Sequence, residues 1–303
     1  MSQIQSYYDL YELFAQIKSR YNLQSHLDWI GQSIDNYKFL NLSQQYISQD
    51  YWKNNIKTII SQYSSEIQTF VKSIKLKITQ NDFDPHNQIS GFSQISTIIN
   101  WVNAKNSNGL IQLSNSFRII ETVIGKDTMN LICCTTNIKN IAICFIPIVP
   151  EIESFLSNYN FNLSTIKYFD LMQIIQILKT YIKRNQSTKS LKSIKSFNIK
   201  PYELTSINAE SCLNHLKTQF SGSPFEIVNV QQTNTISLNS DGLYINQPVP
   251  NIKDQKSDLP IVSANTNTNT NDQSTYNLGD KYIMWIEDIS LINNIIMACY
   301  IKS

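Results

Sequence analysis

Between residues 119 and 149 the chain is built from short runs of Ile, Val, Leu and Cys, broken by Gly125, Asn137 and Asn140. Runs that stay apolar on successive residues suit strands covered on both faces, and such a sheet needs further elements above and below it. The longest run, residues 138–149, contains Lys139 and Asn140 and is too short to cross a bilayer as a helix. The stretch therefore predicts an interior sheet that the rest of the chain must cover.

Helical spacing supplies cover at the N-terminus. Tyr7, Leu10, Tyr11, Leu13, Phe14 and Ile17 recur every three or four residues, which predicts an amphipathic helix over 7–20. The same argument predicts helices over 23–34, 51–67 and 91–105. In the last of these, Phe92, Ile95, Ile98, Ile99 and Val102 form the stripe and Gly109 suits a left-handed position beyond its end. Partial alternation predicts strands over 37–48 and 70–78. Farther on, residues 150–183 read as two helices, 194–199 as a strand and 209–220 as a helix. Residues 238–249 form a hairpin around Asp241-Gly242, and 282–286 and 295–301 are two closing strands. Helices first, then mixed elements, then strands, without regular alternation of strand and helix, predict an α+β fold with a mostly antiparallel sheet.

One segment fits none of these elements. Residues 254–282 are nearly uncharged and rich in Asn and Thr, which favour turns and local backbone hydrogen bonds over helix. A loop of this length between strands is either functional or a low-complexity insert.

Composition narrows the partners. With 25 Lys and Arg against 23 Asp and Glu, the net charge is +2, which speaks against nucleic acid or an anionic membrane as the main partner. The lysines in 72–77 and 183–200 alternate with Ile, Leu, Ser and Phe and read as solvated faces. Only 7 Gly and 8 Pro among many Asn, Ile, Ser and Lys suggest an AT-rich genome, which weakens arguments from single-residue propensity. The five cysteines Cys133, Cys134, Cys144, Cys212 and Cys299 are odd in number, lie mostly in apolar runs and show no metal-ligand spacing. They predict buried free thiols in a reducing compartment. Together with an N-terminus lacking a basic and apolar leader, this predicts a cytoplasmic protein.

Catalytic chemistry finds little to stand on. His26, His86 and His215 sit in unlike contexts, with no nucleophile elbow, paired-histidine metal motif or phosphate-cradling Gly loop near them. Asp82 and Asp84 form a carboxylate pair that a turn before the next element accounts for. No enzyme activity, cofactor or metal is expected.

Four stretches, in order, resemble the serpin family of protease inhibitors. Residues 99–111, Ile-Asn-Trp-Val-Asn-Ala-Lys-Asn-Ser-Asn-Gly-Leu-Ile, resemble the serpin segment Ile-Asn-x-Trp-Val-x-x-x-Thr-x-Gly-x-Ile. They have one residue fewer between Asn100 and Trp101, and Ser107 in place of Thr. Residues 140–155 resemble the family's buried strand leading through Leu-Pro into a helix, and 194–199 its Leu-Pro-x-Phe strand without the Pro. Residues 276–288 with 294–300 resemble its closing segment and final strand.

The resemblance implies one serpin-like domain over 1–303, with N-terminal helices packed on a central sheet and a long exposed loop near the C-terminus. It is shortened, in the manner of a viral-type intracellular member, and the shortfall falls between Ile111 and Ile141. Residues 254–282, after Leu243-Tyr244-Ile245, take the place of the reactive loop, which in an inhibitor is cut by a protease and then inserts into the central sheet. Ser257, Asp258, Leu259 and Pro260 fall at the hinge, and Asn271, Asp272, Gln273 and Ser274 at the candidate scissile region. At that hinge Leu259 and Pro260 stand where the family has Gly and Thr, and a proline has no N–H for a sheet ladder. The resemblance then implies a non-inhibitory protein that binds a protein partner, a protease among the candidates, through its loop. An active inhibitor of serine or cysteine proteases and a structural or assembly protein are the alternatives.

Overall fold

The computed structural model describes residues 2–22, 28–46, 50–75, 84–185, 194–208, 211–218, 225–248, 275–291 and 295–302. In chain order these carry β1 (Gln3–Ser6), α1 (Tyr8–Arg20), β2 (Trp29–Ile30), α2 (Ile34–Ser43), α3 (Asp50–Asn55), β3 (Ile56–Ser61), α4 (Ser64–Ser73), β4 (Gln88–Ile95) and β5 (Thr97–Asn100). There follow β6 (Ala104–Ser107), β7 (Leu110–Ser114), β8 (Phe117–Ile124), β9 (Asp127–Thr135), β10 (Ile141–Pro147), α5 (Pro150–Ser157) and α6 (Asp170–Asn185). The remainder is β11 (Ser196–Ile199), β12 (Tyr202–Asn208), β13 (Lys217–Thr218), β14 (Glu226–Ile227), β15 (Gln231–Leu238), β16 (Gly242–Ile245), β17 (Thr275–Asn277), β18 (Lys281–Asp288) and β19 (Ile295–Lys302).

The fold is α+β. Its strands form three sheets rather than one central sheet. Six strands run in the order β1-β19-β18-β10-β9-β8, all antiparallel. Four run β17-β11-β7-β6, and nine form a third sheet around β4, β15, β16 and β5. Among the described residues parallel pairing is confined to β11 with β17 and to β4 with β14 and β15. Of the strands expected to be covered on both faces, β10 is buried along nearly its whole length, whereas β8 is the sheet's edge strand, exposed at several residues, and β9 is only partly buried, because the hairpin they form has a neighbour on one side alone. Residues 111–141, marked by the resemblance as the place of missing sheet, thus supply the edge hairpin β8–β9.

Each face of the six-stranded sheet meets a different layer. On one face Phe145 and Tyr282 pack against Phe197 of β11 and Tyr202 of β12, with ring centroids 5.7 and 6.3 Å apart. On the other, Trp285 and Glu287 lie under α6, whose Ile174, Ile175, Leu178 and Ile182 are buried. Helix α1 lies on β3 and β4, as expected of the N-terminal cover, and Leu13 presses against Gly91. No helix among the described residues is long and apolar enough to cross a membrane.

Several local expectations fail, each because tertiary partners outweigh spacing. The helix expected over 91–105 is the pair of strands β4 and β5. Ser90, Gly91, Ser93 and Gln94 are small or polar yet buried, so both faces of β4 are covered and the apolar spacing reports only one. Gly109 is left-handed, as expected, but with Asn108 (φ 53°) it makes the tight turn of the β6–β7 hairpin instead of ending a helix.

Residues 37–48, expected as strand, begin inside α2. A capping box starts that helix: Ser33 Oγ accepts from Asn36 N, and Asn36 Oδ1 accepts from Ser33 N. The helix expected over 51–67 is interrupted by β3, whose Ile56, Thr58, Ile59 and Ile60 pair with β4. The strand expected over 70–78 starts as the last turn of α4, and residues 76–78 lie outside the described residues.

Within the helix expected over 23–34, Trp29–Ile30 is strand β2. Where a helix was expected over 209–220, residues 211–218 form turns and β13. There the Asn36 amide donates to the Cys212 and Asn214 carbonyls, taking acceptors a helix would use. Cys134, Cys144, Cys212 and Cys299 are buried free thiols, while Cys133 is only half-buried.

At Gly242 strand β16 approaches β5 closely enough to leave no room for a side chain. A Cβ there would stand 2.3 Å from the Ile99 carbonyl oxygen and 2.8 Å from the Asn100 Cα. Gly242→Ala is therefore expected to part β16 from β5 and cost about 2–3 kcal/mol, read as a lower urea midpoint. An unchanged midpoint would show that the two strands can yield freely.

Candidate functional site

The hinge residues Ser257, Asp258, Leu259 and Pro260 and the scissile candidates Asn271, Asp272, Gln273 and Ser274 lie outside the described residues. What is visible is how the chain enters and leaves residues 249–274. It leaves from β16, an interior strand of the nine-stranded sheet, and re-enters as β17, an edge strand of the four-stranded sheet.

The entry point is tightly held. Asn239 Oδ1 accepts from the backbone N–H groups of Asp241 and Gly242, closing the β15–β16 turn. Trp101 Nε1–H donates to the Asn239 carbonyl at 2.9 Å, and Trp101 N–H to that of Asp241 at 3.1 Å. Strand β16 then pairs with β15 at three positions and with β5 at all four of its residues. At its end Asn246 adopts a left-handed φ of 48°. Its Nδ2 donates to the carbonyls of Ile95 (2.7 Å) and Thr233 (3.0 Å), and its Oδ1 accepts from Thr235 N–H (2.8 Å). One amide thus ties β4, β15 and the end of β16 together. Gln247 Nε2 adds a bond to Ser96 Oγ at 2.7 Å. Sequence reading missed Asn246; an Asn directly after an apolar strand was the available signal for a left-handed stop.

The exit is held from the side. Strand β17 lies parallel to β11, with Ser196 Oγ and Thr275 Oγ1 2.8 Å apart and Asn198 Nδ2 donating to Asn277 Oδ1 at 2.8 Å. Tyr276 packs against Phe197 and its hydroxyl accepts from Asn130 Nδ2 at 3.2 Å. Lys200 pairs with Asp280 just beyond.

Of the four stretches that resemble the serpin family, those containing Ile99, Phe197 and Tyr276 meet at these anchors, and the one containing β10 pairs instead with β18. Ile99 and Asn100 pair with Leu243 and Gly242 of β16, Phe197 pairs with Tyr276, and β10 pairs with β18 over seven residues.

Beneath the nine-stranded sheet lies a polar floor. Strands β4 and β15 are eight residues long but pair at only two positions, Phe92 with Gln231 and Ser93 with Gln232. Under this short joint the fully buried Asp9 carboxylate accepts from Ser6 Oγ (2.6 Å), Ser93 Oγ (3.0 Å) and Gln232 Nε2 (2.7 Å). The Tyr168 hydroxyl lies within hydrogen-bond distance of both the Ser6 carbonyl and Gln232 Oε1. Burial holds the Asp9 carboxyl above its ordinary value of 3.8, against the opposing pull of those three donors.

Of the histidines and the carboxylate pair weighed as catalytic candidates, only some fall within the described residues. His86 lies in a turn where Asp84 Oδ1 accepts its backbone N–H, and His215 is exposed beside Glu226 at 3.1 Å. His26 and Asp82 lie outside the described residues. Among the described residues no three His, Cys, Asp or Glu side chains cluster to hold a metal.

No known family profile and no curated protein matches the sequence. Among solved structures the chain is similar to a serpin from Schistosoma mansoni, at 12% identity and a TM-score of 0.43, covering 78% of this chain and 63% of that one. It is similar to a serpin from the trematode Schistosoma haematobium at 11% identity and 0.42, covering 88% and 78%. A third likeness is to the thermophilic serpin tengpin in its native state, at 9% and 0.44, covering 100% and 88%. The chain thus spans less than two thirds of the S. mansoni protein.

Two outcomes follow from the anchors. Asn246→Ala loses three side-chain hydrogen bonds and the tolerance for positive φ, with an expected cost of about 2–4 kcal/mol; Asn246→Gly restores only the backbone part, about 1 kcal/mol. Equal stability of the two variants would mean the left-handed backbone costs alanine nothing, and an Asn246→Gly as stable as wild type would mean the side-chain bonds contribute nothing.

For Asp9 the folded carboxyl holds its proton more tightly than the unfolded one, so its contribution to stability falls as pH rises above 3.8. Wild type should lose stability relative to Asp9→Asn as pH rises from about 4 toward neutrality. A difference that is flat or grows would contradict the shift.

Proposed function

We propose that this chain is a serpin-like, single-domain cytoplasmic protein that does not inhibit proteases and instead presents to a protein partner residues 254–274, the part of the expected 254–282 loop that precedes strands β17 and β18. The observation that carries the reading is the pairing of β16. The strand that leads into the segment is hydrogen-bonded to β15 on one side and to β5 on the other, with Gly242 packed against the β5 backbone. A segment returning beside β16 has no free edge there and would have to displace a complete ladder. Its own composition works against that displacement: Pro260 brings no N–H to a ladder, and residues 265–271 would place alternate Asn side chains inside the sheet.

Display asks less of the segment. It needs two fixed ends and a solvated middle, and Asn246 with β16 at one end and β17 at the other supply the fixed ends. The near-neutral charge favours a protein partner over nucleic acid or a membrane surface.

The test is incubation of the full chain with a panel of serine and cysteine proteases. The expected result is cleavage within residues 254–274, with Asn271, Asp272, Gln273 and Ser274 as the candidate region, no complex surviving SDS, and no rise in melting temperature of the cut protein. An SDS-stable complex, or a large gain in stability after cleavage, would establish the inhibitor instead.

A further inference from the structure

Cys133 of β9 and Cys144 of β10 stand directly opposite one another in an antiparallel ladder, so their side chains leave the sheet on the same face. Opposed residues in such a ladder have Cα atoms about 4.5–5.5 Å apart, within the about 4.4–6.8 Å that a disulfide spans.

Their surroundings differ in a useful way. Cys133 is half-buried and its other neighbour in the ladder is Arg118 on the edge strand β8. Cys144 is fully buried, and its Sγ–H donates to Glu287 Oε1 at 3.7 Å. The other oxygen of Glu287 accepts from Lys179 Nζ at 2.5 Å and from Trp285 Nε1 at 2.8 Å, which fixes the carboxylate against the thiol. The row therefore holds a reachable thiol, a buried thiol opposite it, and a carboxylate placed to take the buried thiol's proton. Nothing in the loop display argued above uses these groups.

We propose that Cys133 and Cys144 are a reversible, peroxide-sensitive dithiol–disulfide pair. Hydrogen peroxide transfers one oxygen to Cys133, giving a sulfenic acid and water. The Cys144 sulfur then attacks the Cys133 sulfur, its proton passes to Glu287, and the departing hydroxide takes that proton to leave as a second water. Two thiols lose two electrons and two protons, and the peroxide is reduced to two waters. An external dithiol reverses the bond by exchange. Burial pushes the Cys144 thiol well above its ordinary range, which keeps it protonated until Cys133 has been oxidised. Cys134 cannot substitute, because it faces the opposite side of the sheet against Ile143.

The test treats the reduced full chain with a small excess of hydrogen peroxide, then counts thiols under denaturing conditions and weighs the intact protein. The count should fall from five to three, five less the two joined, with a mass loss of about 2 Da that dithiothreitol restores. Peptide mapping should join the segment containing Cys133 to that containing Cys144. Cys133→Ser should abolish the mass loss and Cys134→Ser should keep it. Cys144→Ser should leave Cys133 carrying added oxygen; if that variant does not fold, the partly exposed Cys133→Ser decides alone. Five thiols surviving in the wild type, a gain of oxygen without a 2 Da loss, or a cross-link that persists in Cys133→Ser would overturn the pair.

Discussion

The ladder between β10 and β18, which sets residues 141–147 against 282–288 position by position, is the constraint on which the rest of the structure depends. Both strands are apolar on successive residues and both are covered on each face, so they can exist only inside the molecule. Strand β18 in turn pairs with β19, and β19 with β1, so the first and last strands of the chain share one sheet. The pairing joins residues far apart in sequence, which makes the sheet costly to close and cooperative once closed. Everything between the two partners must be arranged around it: α6 over one face, β11 and β12 against the other, and residues 249–274 in passage from one sheet to another.

Polar groups inside such a core are costly unless they are hydrogen-bonded. Asp9, Asn246 and Glu287 each meet that condition with two or more partners drawn from different elements. Each also sits where a strand ladder is short, ends or meets a helix. Asp9 lies below the two-residue joint of β4 and β15, Asn246 stops β16, and Glu287 meets Lys179 of α6 beside a β-bulge between β18 and β19. Side chains thus hold the places that backbone pairing leaves weak.

The same division runs through the functional reading. A displayed segment needs a rigid frame, and here the frame is built by close packing at Gly242 and by the Asn246 amide, while the segment itself is polar and nearly uncharged. The cysteine row belongs to the other sheet, at the edge where β9 meets solvent-facing β8. The two features are physically separate, so one can fail without touching the other.

What could be read from the residues alone was whatever local chemistry decides. Helix α1 follows from its spacing, the β15–β16 turn from Asp241-Gly242, and β10, β18 and β19 from unbroken apolar runs. So did the α+β class, and the position of the soft segment before two closing strands. The tertiary structure alone decided the state of residues 88–100, because Gly91 and Ser93 are buried by α1 and by Asp9, Ser90 is buried on the other face where it donates to the Asn229 carbonyl, and no hydropathy pattern records a burial that hydrogen bonds make possible. It also decided that three sheets form rather than one, and that Cys133 faces Cys144, since strand register is a property of the pairing and not of either strand.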